Sequence, residues 1–458
     1  MSTISTKPPS GMRDFLAPDV ARRRHVVGVI QQVYESFGFV PLETPTIENL
    51  TTLLGKYGPE GDQLLYRLLH RRERLARALE RKSDGSGPGE LDLSDEGLRY
   101  DLTVPLARVV ANEHALPSYY KRYQIQPVWR ADRPAKGRFR EFWQCDVDIT
   151  GTKSLVADAE VIGAVATVLT KLGFADFKIH VNHRDFLRGM FAYAAIPAEK
   201  HAAALIALDK FDKVGREGVM NELEEKGIGH GDADELLHNL ELMREGDYLE
   251  RRAARAKSDP AAAEKMPGAV GVAELIELFS IVKGGPAAAH VRFDPTLARG
   301  LSYYTGPIFE ITVPGLAGSL GGGGRYDGLI GMFTKRQIPA VGFSLGLERI
   351  LLVMEERAMF PPLGVGPQLL LCRFADVPAA AAIRIATDLR AAGVRTELFA
   401  DTPSLGKQIQ YANTIGAPFV AILGGDELAK GVVTLKNLAT GEQKTLAVSE
   451  AAGVVLWG

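Results

Sequence analysis

KRYQIQPVWRADRPAKGRFREFWQCDVDI runs from Lys121 to Ile149, carries five arginines, and closes on Gln144, Asp146 and Asp148. It divides at ADRPAKG (131–137), where Pro134 and Gly137 suit a turn. Either side of that turn the residues alternate with a period of two, the mark of a strand. On the first arm Tyr123, Ile125 and Trp129 point one way, and Arg122, Gln124, Gln126 and Arg130 the other. On the second, Phe139, Trp143, Cys145, Val147 and Ile149 form a buried face, with Arg138, Arg140, Phe142, Gln144, Asp146 and Asp148 opposite. An antiparallel pair built this way shows guanidiniums near the turn, carboxylates further in and an aromatic ring between them. A solvated hairpin edge carries the same mix of charges. Two features point elsewhere. Arginine forks match phosphate oxygens, and a Phe among them offers a stacking face. Gln144 and Asp148 then supply acceptors for a cationic ammonium or an N–H group. The pattern suits a nucleoside triphosphate lying beside an amino acid.

The rest of the chain sets the scale. Its 458 residues exceed one ordinary core, so two or three domains are expected. Hydrophobic residues make up 46% and charged residues 24%, a globular profile. No apolar run approaches the ~18 residues of a membrane span. The opening MSTISTKPPSGMRDFLAPD has no apolar signal core, so a cytoplasmic location and no membrane partner are expected. Cys145 and Cys372 stand far apart without a CxxC partner, which argues against a zinc site or a disulfide framework. A net charge of −2 means that any nucleic acid must be held by local patches.

Helical spacing from Pro18 to Phe37 is followed by a proline-broken extended segment, GFVPLETPTIE. Residues 71–97 read as a charged helical arm and a Gly/Ser/Pro-rich loop. Leu155–Leu172 reads as a helix and Phe177–Val181 as a short strand. From about 184 to 284 the chain turns to short Ala/Glu/Lys-rich helices without a catalytic-looking cluster, an inserted helical module. HVRFD (290–294) and RGLSYYTGPIFEITV return to strand character, with a turn at Gly306. Strict alternation puts Arg299 and Tyr304 on opposite faces, so a bulge or turn is required if both serve one site. GGGG (321–324) is no phosphate loop, because no Gly-Lys-Ser/Thr follows. It reads either as backbone closing on a ligand or as a plain flexible turn. After the linker FPPLGVGP (360–367), strand and helix alternate over 368–423, a small α/β domain.

The hairpin resembles motif 2 of the class II aminoacyl-tRNA synthetases. GFSLGLERILL (342–352) resembles motif 3, with Arg349 at its strand–helix junction, and GFVPLETPTIE resembles motif 1, with Pro45 at the dimer-forming proline. LARGLSYYTGPIFE (297–310) and GGGGRYDGLIG (321–331) resemble the two signature blocks of the histidyl-tRNA synthetase family. Similarity continues through LRYDLTVPLAR (98–108), LDKFDKVG (208–215) and QYANTIGAPFVAILGGDEL, so it covers nearly the whole chain. It implies an α+β fold: an antiparallel β-sheet catalytic domain flanked by helices at 1–360, a helical insertion at about 184–284, and a C-terminal α/β anticodon-binding domain at 366–458. It also implies ATP-dependent activation of L-histidine, transfer to tRNA(His), Mg²⁺ with the ATP, and a homodimer.

Roles follow from the same resemblance. Arg130 and Arg299 are expected on the α-phosphate as the catalytic cations, where charge develops. Arg138 and Arg349 are expected on the β- and γ-phosphates, with Phe142 and Arg349 enclosing adenine. Asp101, Thr103 and Gln144 would meet the substrate ammonium, and Asp148 and Tyr304 its imidazole. Tyr303 joins the histidine-facing set, although it also reads as core. No residue is assigned to a metal. His183 reads as local structure, and Arg140 as a salt-bridge partner. Lys407 and Gln408 are candidate tRNA contacts in the C-terminal domain. Three departures stand out: Ser302 where the family usually has Asp, the short acid Asp101 where another branch has Glu, and a longer 71–96 segment. A family relative that binds histidine as a regulatory subunit of ATP phosphoribosyltransferase is the alternative; Arg299 and the C-terminal domain weigh against it.

Overall fold

The computed structural model describes residues 4–80, 89–244, 247–300 and 303–457. The expected loop at 81–88 and the departure at Ser302 lie outside the described residues. The hairpin forms as read, and it sits inside a sheet rather than at a solvated edge. Its strands are β2 (Tyr120–Trp129) and β3 (Glu141–Thr150), after a short β1 (Val40–Pro41). β4 (Lys178–His183), β5 (Val291–Phe293), β6 (Pro307–Thr312), β7 (Gly321–Arg325) and β8 (Ala340–Gly346) complete eight strands. Their order is β1-β2-β3-β8-β7-β6-β4-β5, mostly antiparallel, with parallel pairs at the β1 and β5 edges.

The β2–β3 register sets Arg122 opposite Asp148, Gln124 opposite Asp146 and Gln126 opposite Gln144. On the other face Tyr123, Cys145, Val147 and Ile149 enter the main core with Val26, Ile30 and Tyr34 of helix α1 (Ala17–Ser36). Tyr34 also donates from its hydroxyl to the Cys145 carbonyl at 3.3 Å. Both faces of β3 are therefore buried at its inner end, where Asp146 and Asp148 are 1% and 2% exposed. The polar face is a cavity floor. Arg138 and Arg140 correct the alternation reading: β3 begins at Glu141, so both lie in the turn. Arg140 donates backward, to the Asp132 carbonyl (3.0 Å) and the Ser10 carbonyl (3.4 Å), and its own N–H donates to the Gly11 carbonyl (2.8 Å). It ties the N-terminal segment to the turn.

Of the two readings of the glycine run, the flexible turn fails: the run is β7, paired on both sides with β8 and β6. Side-chain bulk is excluded where the strand passes the cavity: a Cβ on Gly322 would stand 1.7 Å from Arg299 Nη1. In the neighbouring strand a Cβ on Gly342 would stand 1.8 Å from Asp148 Oδ1.

Helices α2 (Thr103–Asn112) and α3 (Leu155–Lys171) follow the strands that lead into them, and Ser154 caps α3 by accepting from Val156 N. Between residues 184 and 282 come α4 (Arg184–Tyr193), five further helical segments from His201 to Glu264 and α5 (Ala269–Val282). They pack against the main core. Phe186, Leu187, Leu223, Leu236, Leu275 and Leu278 share one core with the sheet. His183 is structural as read: its Nδ1 accepts from Asp185 N (3.0 Å), capping α4, and its Nε2 meets Glu274 (2.8 Å). Helix α6 (Leu347–Glu356) leaves directly from β8.

The chain divides into two compact units, Met1–Asp14 with Arg23–Phe360, and Phe15–Arg22 with Pro361–Gly458. The second has its own five-stranded sheet, β9 (Leu369–Arg373), β10 (Thr396–Leu398), β11 (Phe419–Leu423), β12 (Val432–Asn437) and β13 (Gln443–Ala447), ordered β10-β9-β11-β12-β13. The alternation over 368–423 appears as read, and an antiparallel pair and a helix, Val448–Trp457, extend it. Gln408 corrects the reading of this unit. It is fully buried, donates to the Arg373 and Pro403 carbonyls at 3.0 Å each, and accepts from Arg373 N at 3.2 Å. It joins a helix to β9 and does not face solvent, whereas Lys407 does. Both cysteines are buried and free.

Candidate active site

A cavity of about 740 Å³ opens over β3, β7 and β8. Its wall holds all eleven residues singled out in the sequence: Asp101, Thr103, Arg130, Arg138, Phe142, Gln144, Asp148, Arg299, Tyr303, Tyr304 and Arg349.

One part of the wall is cationic. The Arg130 guanidinium lies 4.2 Å from the Tyr100 ring and 5.1 Å from the Phe142 ring, and its Nε donates to the Tyr100 carbonyl at 3.1 Å. Aromatic faces thus hold the fork in place while leaving its ends available. Arg138 pairs with Asp132 at 2.7 Å. Arg349, in the first turn of α6, donates to the Ser319 carbonyl and approaches the Gly137 carbonyl at 3.5 Å. Burial lowers its pKa, and the nearby charges of Arg138, Arg130 and Arg299 lower it further, against the pull of Glu310. Arg130, Arg138, Arg299 and Arg349 thus bring four guanidiniums to one cavity wall. Glu348 anchors the junction beside them. It accepts from Trp143 N and from Arg23 Nη1, each at 2.9 Å, and lies 3.9 Å from Arg13.

Arg299 resolves the alternation problem. Residues 303–306 form no strand, and β6 starts only at Pro307, so Arg299 and Tyr304 reach the same cavity from an irregular approach. Arg299 Nη1 meets Glu310 at 3.2 Å, and its guanidinium lies 5.8 Å from the Tyr304 ring. Burial opposes its charge, but Tyr304, Glu310 and Asp209 outweigh that and raise its pKa. The buried Arg184 of α4 donates to the Arg299 carbonyl at 2.5 Å and fixes the approach.

The rest of the wall offers acceptors. Asp101 Oδ1 accepts from Val104 N (3.0 Å) at the start of α2 and from the Tyr57 hydroxyl (3.2 Å), while Oδ2 has no hydrogen-bond partner among the described residues. Gln144 donates to Ser344 Oγ at 2.8 Å, and its Oε1 has none among the described residues. Asp148 is more heavily engaged. Its Oδ1 accepts from the Tyr326 hydroxyl, and its Oδ2 lies 2.9 Å from Arg122 Nη2. Burial pushes its carboxyl above the ordinary range, against the pull of Arg122 and Tyr326. Tyr303 packs against Tyr304 and Tyr326, with ring centroids 4.9 and 6.0 Å apart, and belongs to the cavity wall as well as to the packing.

Several residues of this site escaped the sequence reading. Tyr57, Asp209 and Glu310 line the cavity without having been assigned. Tyr326 stands inside GGGGRYDG and Asp209 inside LDKFDKVG, so both signals were present as motif members without a role. Asp209 also shows that the helical 184–284 stretch contributes to the cavity. The antiparallel register alone would have paired Arg122 with Asp148.

A family model described as Histidyl-tRNA synthetase matches residues 93–350, and one described as Anticodon binding domain matches 373–456. The histidine–tRNA ligase of Cytophaga hutchinsonii is 41% identical over 95% of this chain and 96% of its own length. That of Porphyromonas gingivalis is 42% identical over 98% of each. Among solved structures, a histidyl-tRNA synthetase from Nostoc sp. PCC 7120 superposes with a TM-score of 0.77 at 29% identity, covering 99% of both chains. A Bacillus halodurans structure titled as an ATP phosphoribosyltransferase regulatory subunit/histidyl-tRNA synthetase gives 0.72 at 23% identity over 93% of this chain and 100% of its own, a likeness of fold.

Proposed function

The chain belongs to the histidyl-tRNA synthetase family, and from that premise we propose how its cavity divides the work. The protein is a histidine–tRNA ligase: it activates L-histidine with ATP and transfers the histidyl group to tRNA(His). The observation that carries the proposal is the cavity wall itself, which holds Arg130, Arg138, Arg299 and Arg349 together with Asp101 Oδ2 and Gln144 Oε1, acceptors without a hydrogen-bond partner among the described residues.

In this proposal ATP lies in the cationic part, its adenine between Phe142 and Arg349. Arg138 and Arg349 hold the β- and γ-phosphates, and Arg130 and Arg299 the α-phosphate. Histidine's ammonium meets Asp101, Thr103 and Gln144, and its ring faces Asp148 and Tyr304. The carboxylate attacks the α-phosphorus and pyrophosphate leaves. Negative charge grows on the phosphoryl oxygens as it does so, and fixed guanidiniums stabilise that charge without having to reorganise. The 2′- or 3′-hydroxyl of the terminal adenosine of tRNA then takes the histidyl group and AMP leaves.

Among the described residues no cluster of metal-ligating side chains forms. The proposal therefore gives Mg²⁺ its ligands from phosphate oxygens and water, the usual partition for this ion, with Glu310 as a carboxylate of the cavity wall. Bound Mg²⁺ would offset phosphate charge. The domain assignment is a catalytic domain at 1–360 and an anticodon-reading domain at 366–458. Lys407 remains a candidate for phosphate contact there. No helix among the described residues is long and apolar enough to cross a membrane, and we place the enzyme in the cytoplasm. The regulatory-subunit reading is the weaker one, because ligases at about 40% identity align along nearly the full chain, including its C-terminal domain.

The test is ATP–pyrophosphate exchange across the standard amino acids. Histidine alone should support exchange; exchange with another amino acid and none with histidine would defeat the assignment.

A homodimer belongs to the same proposal. Strand β1 lies at an edge of the main sheet, Val40 and Ile47 are 47% and 41% exposed, and Pro45 is exposed between them. An edge with apolar side chains suits an isologous two-fold contact. Sedimentation at micromolar concentration should give twice the 49.6 kDa chain mass. A fully active monomer would contradict it.

A further inference from the structure

The turn that carries Arg138 to the cavity is gripped from outside by a piece of chain to which the roles above give no work. Residues 4–16 form neither helix nor strand. Such a segment has no ladder of its own, so its backbone groups must find partners elsewhere. Ser10–Arg13 bends where Met12 N–H donates to the Pro9 carbonyl at 3.0 Å, and then meets the turn. The Arg140 N–H donates to the Gly11 carbonyl at 2.8 Å, and Arg140 Nη1 to the Ser10 carbonyl at 3.4 Å. The Arg13 guanidinium lies 3.4 Å from the centre of the Phe139 ring. Arg13 also stands 3.9 Å from Glu348, in the first turn of α6.

The segment thus touches the two elements that present the outer cations, the turn with Arg138 and α6 with Arg349. Their direct ties to one another are slight. Lys136 pairs with Glu356 at 2.5 Å, but both side chains are exposed, and an exposed ion pair holds weakly. Arg349 Nε approaches the Gly137 carbonyl at 3.5 Å, the outer edge of a hydrogen bond. The N-terminal segment adds fixed points on both sides. Gly11 is where it comes closest to the turn. Its φ is +80°, and a Cβ there would stand 2.8 Å from Arg140 Cγ and 3.0 Å from Pro134 Cγ. The backbone conformation and the close approach both call for glycine. Glu348 is buried and already bonded to Arg23 Nη1 and Trp143 N, so Arg13 lies between a ring of the turn and a carboxylate anchored to β3.

We propose that Ser10–Arg13 is a strap that clamps the 131–140 turn against α6, with Gly11 and Arg13 as positioning residues for Arg138 and Arg349. This rests on the placement of ATP proposed above. None of the four strap residues lines the cavity, so the effect passes through the turn and the helix. Cations that stabilise a phosphoryl transfer do so because they are in place before it. Displacing such groups by about 1 Å costs up to ~10²-fold in rate. Loosening the strap therefore acts on the use of ATP. It spares histidine, whose acceptors Asp101 and Gln144 sit ahead of α2 and inside β3, away from the strap.

The experiment compares the full-length wild-type protein with Gly11→Val, Arg13→Ala, Arg13→Lys and Arg138→Ala in histidine-dependent pyrophosphate exchange. In Gly11→Val and Arg13→Ala the kcat/KM for ATP should fall roughly 10–100-fold. Histidine affinity measured without ATP, and the melting temperature, should stay at wild-type values. Arg13→Lys should recover part of the loss, because an ammonium still reaches Phe139 and Glu348. Gly11→Val should cost less in an Arg138→Ala background than alone, since the strap acts through that residue. Trypsin reads the position of the turn directly. Cleavage after Lys136, Arg138 and Arg140 should be faster in Gly11→Val than in wild type, and saturating ATP should slow it again. Arg13 is at the surface, so Arg13→Ala carries the test alone should Gly11→Val not fold. Wild-type kcat/KM for ATP in Gly11→Val and Arg13→Ala would overturn the inference and leave the ATP placement standing. A loss matched by equal losses of histidine affinity and melting temperature would also overturn it, because it would mark the segment as packing only. Normal use of ATP by Arg138→Ala would overturn the ATP placement, and the inference with it.

Discussion

Replacing Arg299 with alanine is expected to slow formation of histidyl adenylate by roughly 10²–10³-fold, the size of effect that follows loss of one preorganised electrostatic donor. Histidine affinity should change little. The argument is geometric. The residue is held at two points, by Glu310 at 3.2 Å on its guanidinium and by Arg184 at 2.5 Å on its backbone carbonyl. Tyr304, Glu310 and Asp209 also keep it charged in spite of burial. A cation fixed before the reaction gains most when the phosphoryl oxygens gain charge, so the loss should fall on the chemical step. Arg299→Lys should recover only part of the rate, because an ammonium lacks the planar fork. Gly322→Ala offers a second route to the same result. Its new methyl would need the place of Arg299 Nη1, 1.7 Å away, so the guanidinium must move although no ionisable side chain is removed. Single-turnover adenylation measured alongside equilibrium histidine binding separates the alternatives. Near-normal chemistry with weakened binding in Arg299→Ala would sink the role, and a Gly322→Ala enzyme of normal rate would show that the packing against β7 does not set the position of the cation.

The hairpin was legible because its period of two, its turn residues and its arginines all agree. Strand periodicity placed Gln144, Asp146 and Asp148 on one face correctly. What it could not tell was that the opposite face meets helix α1 and that this one meets a cavity, so that both are dry. Burial depends on elements far away in sequence. Arg138 and Arg140 look alike in the chain, yet one lines the cavity and the other ties down the N-terminal segment, because the turn runs on to Arg140 instead of ending at Gly137 as alternation suggested. The glycine run left two readings open because four glycines carry no strand propensity, and only the neighbouring backbones and Arg299 explain why nothing larger fits. Asp209 and Arg184 were hidden by their setting in a helical stretch with ordinary composition. Gln408 looked like a surface amide beside Lys407, since nothing in the sequence says that three bonds to Arg373 and Pro403 hold it inside.

Arg122→Leu is expected to destabilise the catalytic unit by about 3–5 kcal/mol, the usual cost of removing one partner from a buried ion pair. That is a large share of a typical margin of about 5–15 kcal/mol. Arg122 is fully buried, pairs with Asp148 at 2.9 Å, donates to the Leu102 carbonyl at 3.2 Å, and lowers the pKa of both Asp146 and Asp148. Without it two carboxylates remain in the same dry floor with no cation between them. Both would then hold protons more tightly in the folded state than in the unfolded one, where a carboxyl titrates near ~3.9. A group whose folded pKa is raised stabilises the fold below its unfolded pKa and loses that contribution as pH rises through the folded value. Asp146 already behaves so in the wild-type protein, with its carboxyl at about 8, and the variant should extend the trend to Asp148. Urea denaturation should therefore find the stability deficit of Arg122→Leu smallest in mild acid and growing through neutral pH. Adding Asp148→Asn to Arg122→Leu should restore much of the neutral-pH loss, since a neutral amide in the same place needs no counter-ion. A deficit that is the same at every pH, or that Asp148→Asn leaves untouched, would mean that Arg122 acts by filling space beneath the site and that the charge balance of the floor rests on some other group.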